Sequence, residues 1–489
     1  MQDLSDRSSG PVHAAGVLFK RLSASSFFRN LASLSGAALL NRILGLVTLG
    51  WAARHLGPEN YGKIGFGLSI AAYAALLLSP GLQSWGVRAI AQDRTAAGRL
   101  LIIVNGAQIL LSFLGFTGAT IFAFHSMTDP AERSVVILSA LMLFVQALSA
   151  DWVLNGLEMA RYAAGFGVIV SLLSSLGLIF WVRQPSDLLH VPILAFLSGI
   201  AGLAGSYWVL LRHLKLQVEW PTRAQTVAAV RASLPLGLLF AIVVVLHYAN
   251  NLIVRGFLGE RELGVYLSGY RLVEQASLIP TILAGAFFPR LARTVVGARD
   301  QAGAEARLFA RVHIVPGMLI AVMMLTEAPT IVRILYGDKY TDAVNLIRVM
   351  APAVLFNYAI CGYTNCLISY GRERVLVLVT LVSAVVAIGG GLILVPILGS
   401  MGAAIAIAFV DLSGWLVSLP AYRKEVGSLQ LVTWRAPLLG AVVVAAVTLG
   451  LQHLNVPWPV RIPLALCAYL PFVYQSFKDV LQARNSAPG

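Results

Sequence analysis

The sequence predicts an all-α integral membrane protein with about fourteen transmembrane helices. Three observations carry that prediction. Hydrophobic residues make up 58% of the 489-residue chain and charged residues 12%, where a soluble domain carries about a quarter charged residues. Apolar runs of about 20 residues, each long enough to cross about 30 Å of hydrocarbon, recur from residue 31 to the C-terminal region. Lys and Arg collect in alternate short connections between those runs, and the mean hydropathy of +0.79 is that of a chain solvated by lipid.

Taken in order, the runs cover 31–53, 64–86, 100–124, 134–157, 163–182, 191–211, 233–257, 264–288, 312–335, 345–369, 375–395, 401–421, 436–452 and 461–477. The segment 1–30 ahead of them is polar, with Asp3, Asp6 and Arg7 followed by Lys20, Arg21 and Arg29. It lacks the pattern of a cleavable signal, so the first span is expected to act as its own insertion signal. Spans one to six (31–211) and seven to twelve (233–421) match in length, with 212–232 as the connection between them. Spans thirteen and fourteen (436–477) follow as an appendix, and 478–489 is a short tail.

An internal echo supports that division. Leu56-Gly57, five residues before Gly62, recurs as Leu258-Gly259, five residues before Gly264, at a constant offset of 202. Repeated bundles are a mark of transporters that hold their substrate between two halves. The expected architecture is therefore two pseudo-symmetric six-helix bundles plus two C-terminal helices. Pro80, Pro235, Pro280, Pro316 and Pro352 fall within spans, where proline removes a backbone hydrogen bond and kinks the helix.

Charge sets the orientation. One side holds both termini and the connections 87–99, 158–162, 212–232, 289–311, 370–374 and 422–435, with about 24 of the 36 Lys and Arg residues. By the positive-inside rule that side is cytoplasmic. The net charge of +14 forms no basic stripe, which excludes a nucleic-acid partner. No connection exceeds about two dozen residues, which leaves no room for an extramembrane catalytic domain and predicts a protein that is not an enzyme. Cys361, Cys366 and Cys467 lie in apolar runs without the spacing of a metal site, and no cofactor or metal is expected. Gly57-Pro58-Glu59-Asn60-Tyr61-Gly62-Lys63 imitates a phosphate-binding loop, but Ile64 stands where Ser or Thr would hold magnesium, and the strand-to-helix context is missing.

The candidate functional residues are charges at membrane depth. Arg42 lies about eleven residues, roughly 16 Å, from either end of span one, too deep to reach an interface. A buried membrane arginine marks a functional site by default, and Arg42 with its neighbour Asn41 is expected to contact the substrate; the structural alternative for Arg42 is a partner for Asn41 or for an acid on another helix. Arg271 and Glu274 stand three apart on one face of span eight, as substrate ligands or as a self-satisfied pair. His247, Asn250, Asn251 and Arg255 give span seven a polar face, with Arg255 placed for substrate contact or for interfacial anchoring. Asp411 sits mid-span in span twelve. His247, Glu274 and Asp411 are the candidates for coupling to protons. Asp151, Glu158 and Glu327, near span ends, read as structural. An arginine-lined cavity suits a phosphate group, and a diphosphate on a lipid tail would keep its charge in the cavity and its tail in the bilayer. Trp51, Tyr61, Tyr73, Trp85, Tyr266 and Tyr270 are candidates for stacking on sugars or for an interfacial belt.

Asn41-Arg42 in span one, Arg54-His55-Leu56-Gly57-Pro58-Glu59-Asn60-Tyr61-Gly62 after it, and Gly81-Leu82 before Arg88 form an ordered set of motifs. Asn155-Gly156-Leu157-Glu158-Met159-Ala160-Arg161 and Tyr336-Gly337-Asp338-Lys339-Tyr340 extend it. With these the chain resembles the polysaccharide-type, Wzx-like flippases of the multidrug/oligosaccharidyl-lipid/polysaccharide exporter superfamily. The resemblance implies a V-shaped pair of bundles, alternating access driven by an ion gradient, and an undecaprenyl-diphosphate-linked oligosaccharide as cargo. It also implies a place in the bacterial inner membrane and partnership with the polymerase and glycosyltransferases of O-antigen, capsule or exopolysaccharide synthesis. Arg42 and Arg271 fall on helices that line the cationic cavity in related flippases, whereas the second span has no basic residue at mid-depth. A lipid II flippase and a multidrug antiporter share the superfamily; an antiporter of cations would favour acids over Arg42. A membrane glycan ligase or polymerase would need a large outer loop, which the sequence lacks.

Overall fold

The computed structural model describes residues 26–78, 81–213, 222–427 and 432–485. Pro80, most of the segment 1–30, the middle of the 212–232 connection and the end of the tail lie outside them. The chain runs α1 (Ser26–Ala75), α2 (Gly81–Gln92), α3 (Ala97–Ser126), α4 (Pro130–Ala140), α5 (Met142–Leu148), α6 (Asp151–Gly156), α7 (Ala160–Trp181) and α8 (His190–His213). It continues as α9 (Arg223–Leu258), α10 (Glu260–Ala276), α11 (Leu278–Gly297), α12 (Arg299–Leu335), α13 (Ala343–Ser369), α14 (Glu373–Leu398), α15 (Ser400–Val426), α16 (Val432–His453) and α17 (Trp458–Asn485). Short 3-10 turns fill some of the joints, and no strand occurs among the described residues.

Among the described residues twelve helical stretches are long and apolar enough to cross a membrane, against the fourteen spans expected. The difference has two sources. The first two expected spans are merged in one stretch, Gly36–Ala75, and α17, which carries Arg461, Pro463 and Pro471, is not among the twelve. Within α1 the merger is only apparent, because Gly57 breaks the helix with φ 79° and ψ 171°.

Helix starts follow ordinary capping chemistry. Asp129 accepts a hydrogen bond from the Ala131 N–H at 2.9 Å and precedes Pro130 at the first position of α4. Thr222 and Gln225 form a reciprocal capping box that starts α9 ten residues before the expected start of span seven. The connection expected at 289–311 is also almost wholly helical, since α11 runs to Gly297 and α12 begins at Arg299. At 37 residues, α12 is about 55 Å long and projects beyond the hydrocarbon.

Two expected spans are broken where neighbours catch the freed backbone. Span four is split into α4, α5 and α6; Asn105 of α3 donates to the carbonyls of Leu148 and Ser149 at 3.2 and 3.3 Å, and Ser112 to that of Leu143 at 3.2 Å. Span eight breaks at Ser277 between α10 and α11. Pro280 has no N–H to offer the Ala276 carbonyl, and the Tyr358 hydroxyl of α13 donates to that oxygen instead, at 2.9 Å.

The repeat seen in the sequence is a structural one. Gly259 between α9 and α10 has φ 86° and ψ −176°, nearly the geometry of Gly57, and only glycine adopts this region at no steric cost. The helices that follow cross at Gly62 and Gly264. A Cβ on Gly62 would fall on the Glu260 carbonyl oxygen, and a Cβ on Gly264 would fall on the Pro58 carbonyl oxygen. These are the same contact exchanged at the sequence offset of 202, since Pro58 and Glu260 are related by it as Gly62 and Gly264 are.

Around this crossing one core cluster joins both halves: Ala53, Tyr61 and Phe66 pack with Val265, Tyr266, Leu267, Tyr336 and Tyr340. Tyr340 donates to the Ala53 carbonyl at 3.0 Å and Asn251 to the Ser69 hydroxyl at 2.9 Å. This is the sealed end of the molecule. Towards the other end the cores separate: one cluster gathers Leu82, Ile90, Trp152 and Leu154, and another Phe309, Ile314, Tyr363 and Tyr422. Only the start of α9, through Ala229, packs on the first of these from across the repeat boundary. Leu39, Leu40, Ile43 and Val47 of α1 are exposed there. The last two helices dock on α12, where Glu327, with a 1% exposed side chain, takes a two-pronged ion pair from Arg461 at 2.6 and 2.7 Å.

Candidate functional site: a charged cavity between the bundles

A cavity of about 320 Å³ lies beside the break at Ser277. Its wall is Tyr270, Val273, Glu274, Ser277, Leu278 and Thr281 from the broken helix, with Leu246 and His247 from α9, Asn357 from α13, and Ile407, Val410 and Asp411 from α15. Among the described residues Arg42 alone reaches in from the first bundle. Four of the charged or titratable residues singled out from sequence, Arg42, His247, Glu274 and Asp411, thus share one cavity.

Each is held differently. Arg42 is exposed to the cavity. Glu274 is paired with Arg271 at 2.6 Å, both side chains being mostly buried (23% and 13% exposed), and Arg271 itself is not part of the lining. The Arg271–Glu274 pair therefore takes the self-satisfied geometry that its spacing allows, with the Tyr61 and Tyr248 hydroxyls in electrostatic reach of the guanidinium. Asp411 accepts one hydrogen bond, from Asn357 at 3.3 Å. His247 anchors its Nδ1 at the Val243 carbonyl, 2.8 Å away, and presents the rest of its ring to the cavity.

Other sequence candidates lie elsewhere. Asn41 points towards α7, where its amide nitrogen sits over Gly167, and its carbonyl oxygen is buried with no protein partner. Arg255 is at the sealed end, in a two-pronged pair with Glu132 of α4 at 2.8 to 3.0 Å and a second pair with Glu260 at 2.7 Å, over the face of Phe66. Glu132, whose side chain is 2% exposed, is not among the sequence candidates, and only the fold shows that it bridges the two halves. Asn357 was equally silent; a polar residue five positions after Pro352 in an apolar run was its only signal. Of the aromatic candidates Tyr270 alone lines the cavity; Tyr266 stacks behind it at 5.7 Å, and Trp51 donates to the Val182 carbonyl at 3.0 Å. The lysine of the phosphate-loop imitation is spent on Glu59 and Asp129 at 3.0 and 2.7 Å. Asp151 receives a hydrogen bond from Ser206 at 2.6 Å, and Glu158 one from Arg94 at the same distance.

Residues 27–295, more than half of the chain, match the family described as polysaccharide biosynthesis protein. The chain belongs to that family. A putative O-antigen transporter of Shigella dysenteriae is 22% identical over 395 residues, covering 78% of this chain and 96% of the relative. A second putative O-antigen transporter, from Escherichia coli (strain K12), is 23% identical over 342 residues, covering 67% and 80%. Among solved structures, the lipid II flippase MurJ in an inward closed conformation superposes with a TM-score of 0.68 at 13% identity, covering 92% of this chain and 99% of that one. An inward-facing multidrug resistance MATE family transporter of the MOP superfamily gives 0.61 at 18% identity, covering 79% and 94%. At such identities these two speak for the fold, which is that of the superfamily the motifs pointed to. The chain is a multi-pass membrane transport protein of polysaccharide synthesis.

Proposed function

We propose that this protein is a flippase that carries an undecaprenyl-diphosphate-linked oligosaccharide across the bacterial inner membrane by alternating access coupled to an ion gradient. The observation that supports it is the cavity: a guanidinium, Arg42, in the middle of an apolar helix, faces a polar wall made by Glu274, His247, Asn357 and Asp411. A guanidinium there has the charge and fork geometry for a phosphate group, while the polyprenyl tail stays in the bilayer. The structure carries no extramembrane domain among its described residues that would do chemistry on a glycan.

In this reading the bundles 31–211 and 233–421 move as bodies, the basic ends and both termini face the cytoplasm, and the sealed end is the outer one. Cargo assembled by glycosyltransferases enters from the cytoplasmic side and leaves towards a polymerase once the contacts among Gly62, Gly264, Glu132 and Arg255 part. His247, Glu274 and Asp411 are the groups through which an ion can bias that exchange, because all three face the cargo space. Arg271 supports the site from behind Glu274, Asn41 by packing α1 on α7, and Arg255 by holding the outer gate.

The test is cargo choice in proteoliposomes holding the purified chain under imposed proton and sodium gradients. Fluorescent undecaprenyl-diphosphate oligosaccharide, lipid II and a lipophilic cation are offered separately. Translocation of the oligosaccharide in preference to both others is expected. Preference for lipid II would reassign the cargo, and preference for the cation would abandon the diphosphate logic altogether.

A further inference from the structure

The cavity wall is divided by charge. On one side stands Arg42; on the other Glu274 is neutralised by Arg271 behind it, which leaves Asp411 as a carboxylate whose one hydrogen-bond partner is the uncharged amide of Asn357. No Lys or Arg among the described residues pairs with Asp411. A carboxylate has about four acceptor positions, and Asn357 fills one. The cavity, about 320 Å³, lies at the small end of ligand pockets and takes a diphosphate with its adjoining sugar ring rather than a whole repeat unit.

Resting on the reading of the cavity as the site of a lipid-linked diphosphate, we propose that Asp411 and Asn357 form a subsite for the hydroxyls of the sugar attached to that diphosphate. We further infer that the subsite selects neutral or amino sugars at this position and rejects uronic acids. An ionised Asp411 repels the diphosphate at contact, which therefore lies on the Arg42 side. The first sugar then projects towards α13 and α15. Neighbouring sugar hydroxyls are paired donors that match a carboxylate, and the Asn357 amide contributes an acceptor beside it. A uronic acid would instead bring a second carboxylate against Asp411, a like-charge contact.

The test is equilibrium binding of short-chain polyprenyl diphosphates to the purified full chain in nanodiscs, at fixed pH and without a gradient. The probes carry N-acetylglucosamine, glucuronic acid or no sugar. The unmodified protein is expected to bind the N-acetylglucosamine probe at least about tenfold more tightly than the glucuronic acid probe. Asp411→Asn narrows that ratio to about threefold or less, Asp411→Glu restores it, and Asn357→Asp widens it. An unmodified protein that binds the bare diphosphate but does not discriminate between the sugars overturns the subsite and leaves the cargo reading standing. A ratio unchanged in Asp411→Asn also overturns it and leaves Asp411 as an ion site. Failure of all three probes to bind the unmodified chain overturns the cargo reading and the subsite with it.

Discussion

Replacing Gly264 with alanine is predicted to prise open the sealed end. The added Cβ would overlap the Pro58 carbonyl oxygen and come within 2.7 Å of its carbon. Both atoms are backbone, so no side chain can swing aside and the two helices must part by more than an ångström. Overpacking of this kind costs about 1–3 kcal/mol, and under the proposed alternating access it would fall on one state only, the sealed one. A bias of 1–3 kcal/mol shifts a two-state ratio roughly 5- to 150-fold. Because the contact is exchanged between repeats, Gly62→Ala, which would strike the Glu260 carbonyl oxygen, is predicted to act alike. The double variant should show less than the sum, for helices already parted leave room for the second methyl. The assay is pulsed-EPR distance measurement between spin labels at Arg183 and Asp342, exposed positions on opposite halves of the sealed end, in a background lacking Cys361, Cys366 and Cys467. A longer-distance population should grow in either single variant. Folded variants with an unchanged distribution would refute the claim that these glycines are the seal.

The Arg255–Glu132 pair is a second part of the same gate: Glu132→Gln should weaken the seal and lengthen the same label distances, and the exchange Glu132→Arg with Arg255→Glu should return them towards the unmodified values. Removing one partner of a buried pair costs about 3–5 kcal/mol, so Glu327→Gln, which strands Arg461, is predicted to lower thermal stability and release α16 and α17 to proteolysis; intact docking in that variant would count against the assignment. Tyr358→Phe leaves the Ala276 carbonyl unsatisfied and should cost about 1–3 kcal/mol, read as a lower unfolding temperature in detergent. The Lys63 ammonium and the Ala131 N–H hold the Asp129 carboxyl below the usual carboxylate range. A depressed pKa stabilises the fold above the unfolded value, near 3.9, and that contribution is lost as pH falls through the folded value. Scans from pH 6 to pH 3 should therefore show an acid-dependent loss of stability below about pH 4 that is smaller in Asp129→Asn.

The periodic part of this protein could be read from its sequence and the exceptional part only in outline. Among the described residues the expected apolar runs fall mostly on helix, because long uncharged stretches have few alternatives in lipid, and the offset between Gly57 and Gly259 marked the two repeats before their shared backbone geometry was visible. That Arg42, His247, Glu274 and Asp411 are costly at membrane depth pointed to a common cavity. What stayed hidden depends on partners distant in sequence. The splitting of span four is stabilised by Asn105 and Ser112 from another helix, and the break at Ser277 by a hydroxyl from Tyr358. Arg255 reads as a lone cation until Glu132 is brought beside it, and Asn41 reads as cavity-facing until the rotation of α1 turns it towards Gly167. The contact of Gly62 with Gly264 is invisible for the same reason: nothing in either glycine tells which backbone it will meet.

The most direct test of the central claim is the initial rate at which proteoliposomes holding the unmodified chain, Arg42→Lys or Arg42→Ala translocate fluorescent undecaprenyl-diphosphate oligosaccharide under one imposed gradient. The account predicts rapid transport by the unmodified chain, a partial rate for Arg42→Lys, which keeps the charge but loses the fork, and a loss of about tenfold or more for Arg42→Ala, the scale of one charge-assisted hydrogen bond. Transport by folded Arg42→Ala at the unmodified rate would contradict it, because the one cation facing the cavity from the first bundle would then have no part in carrying the diphosphate.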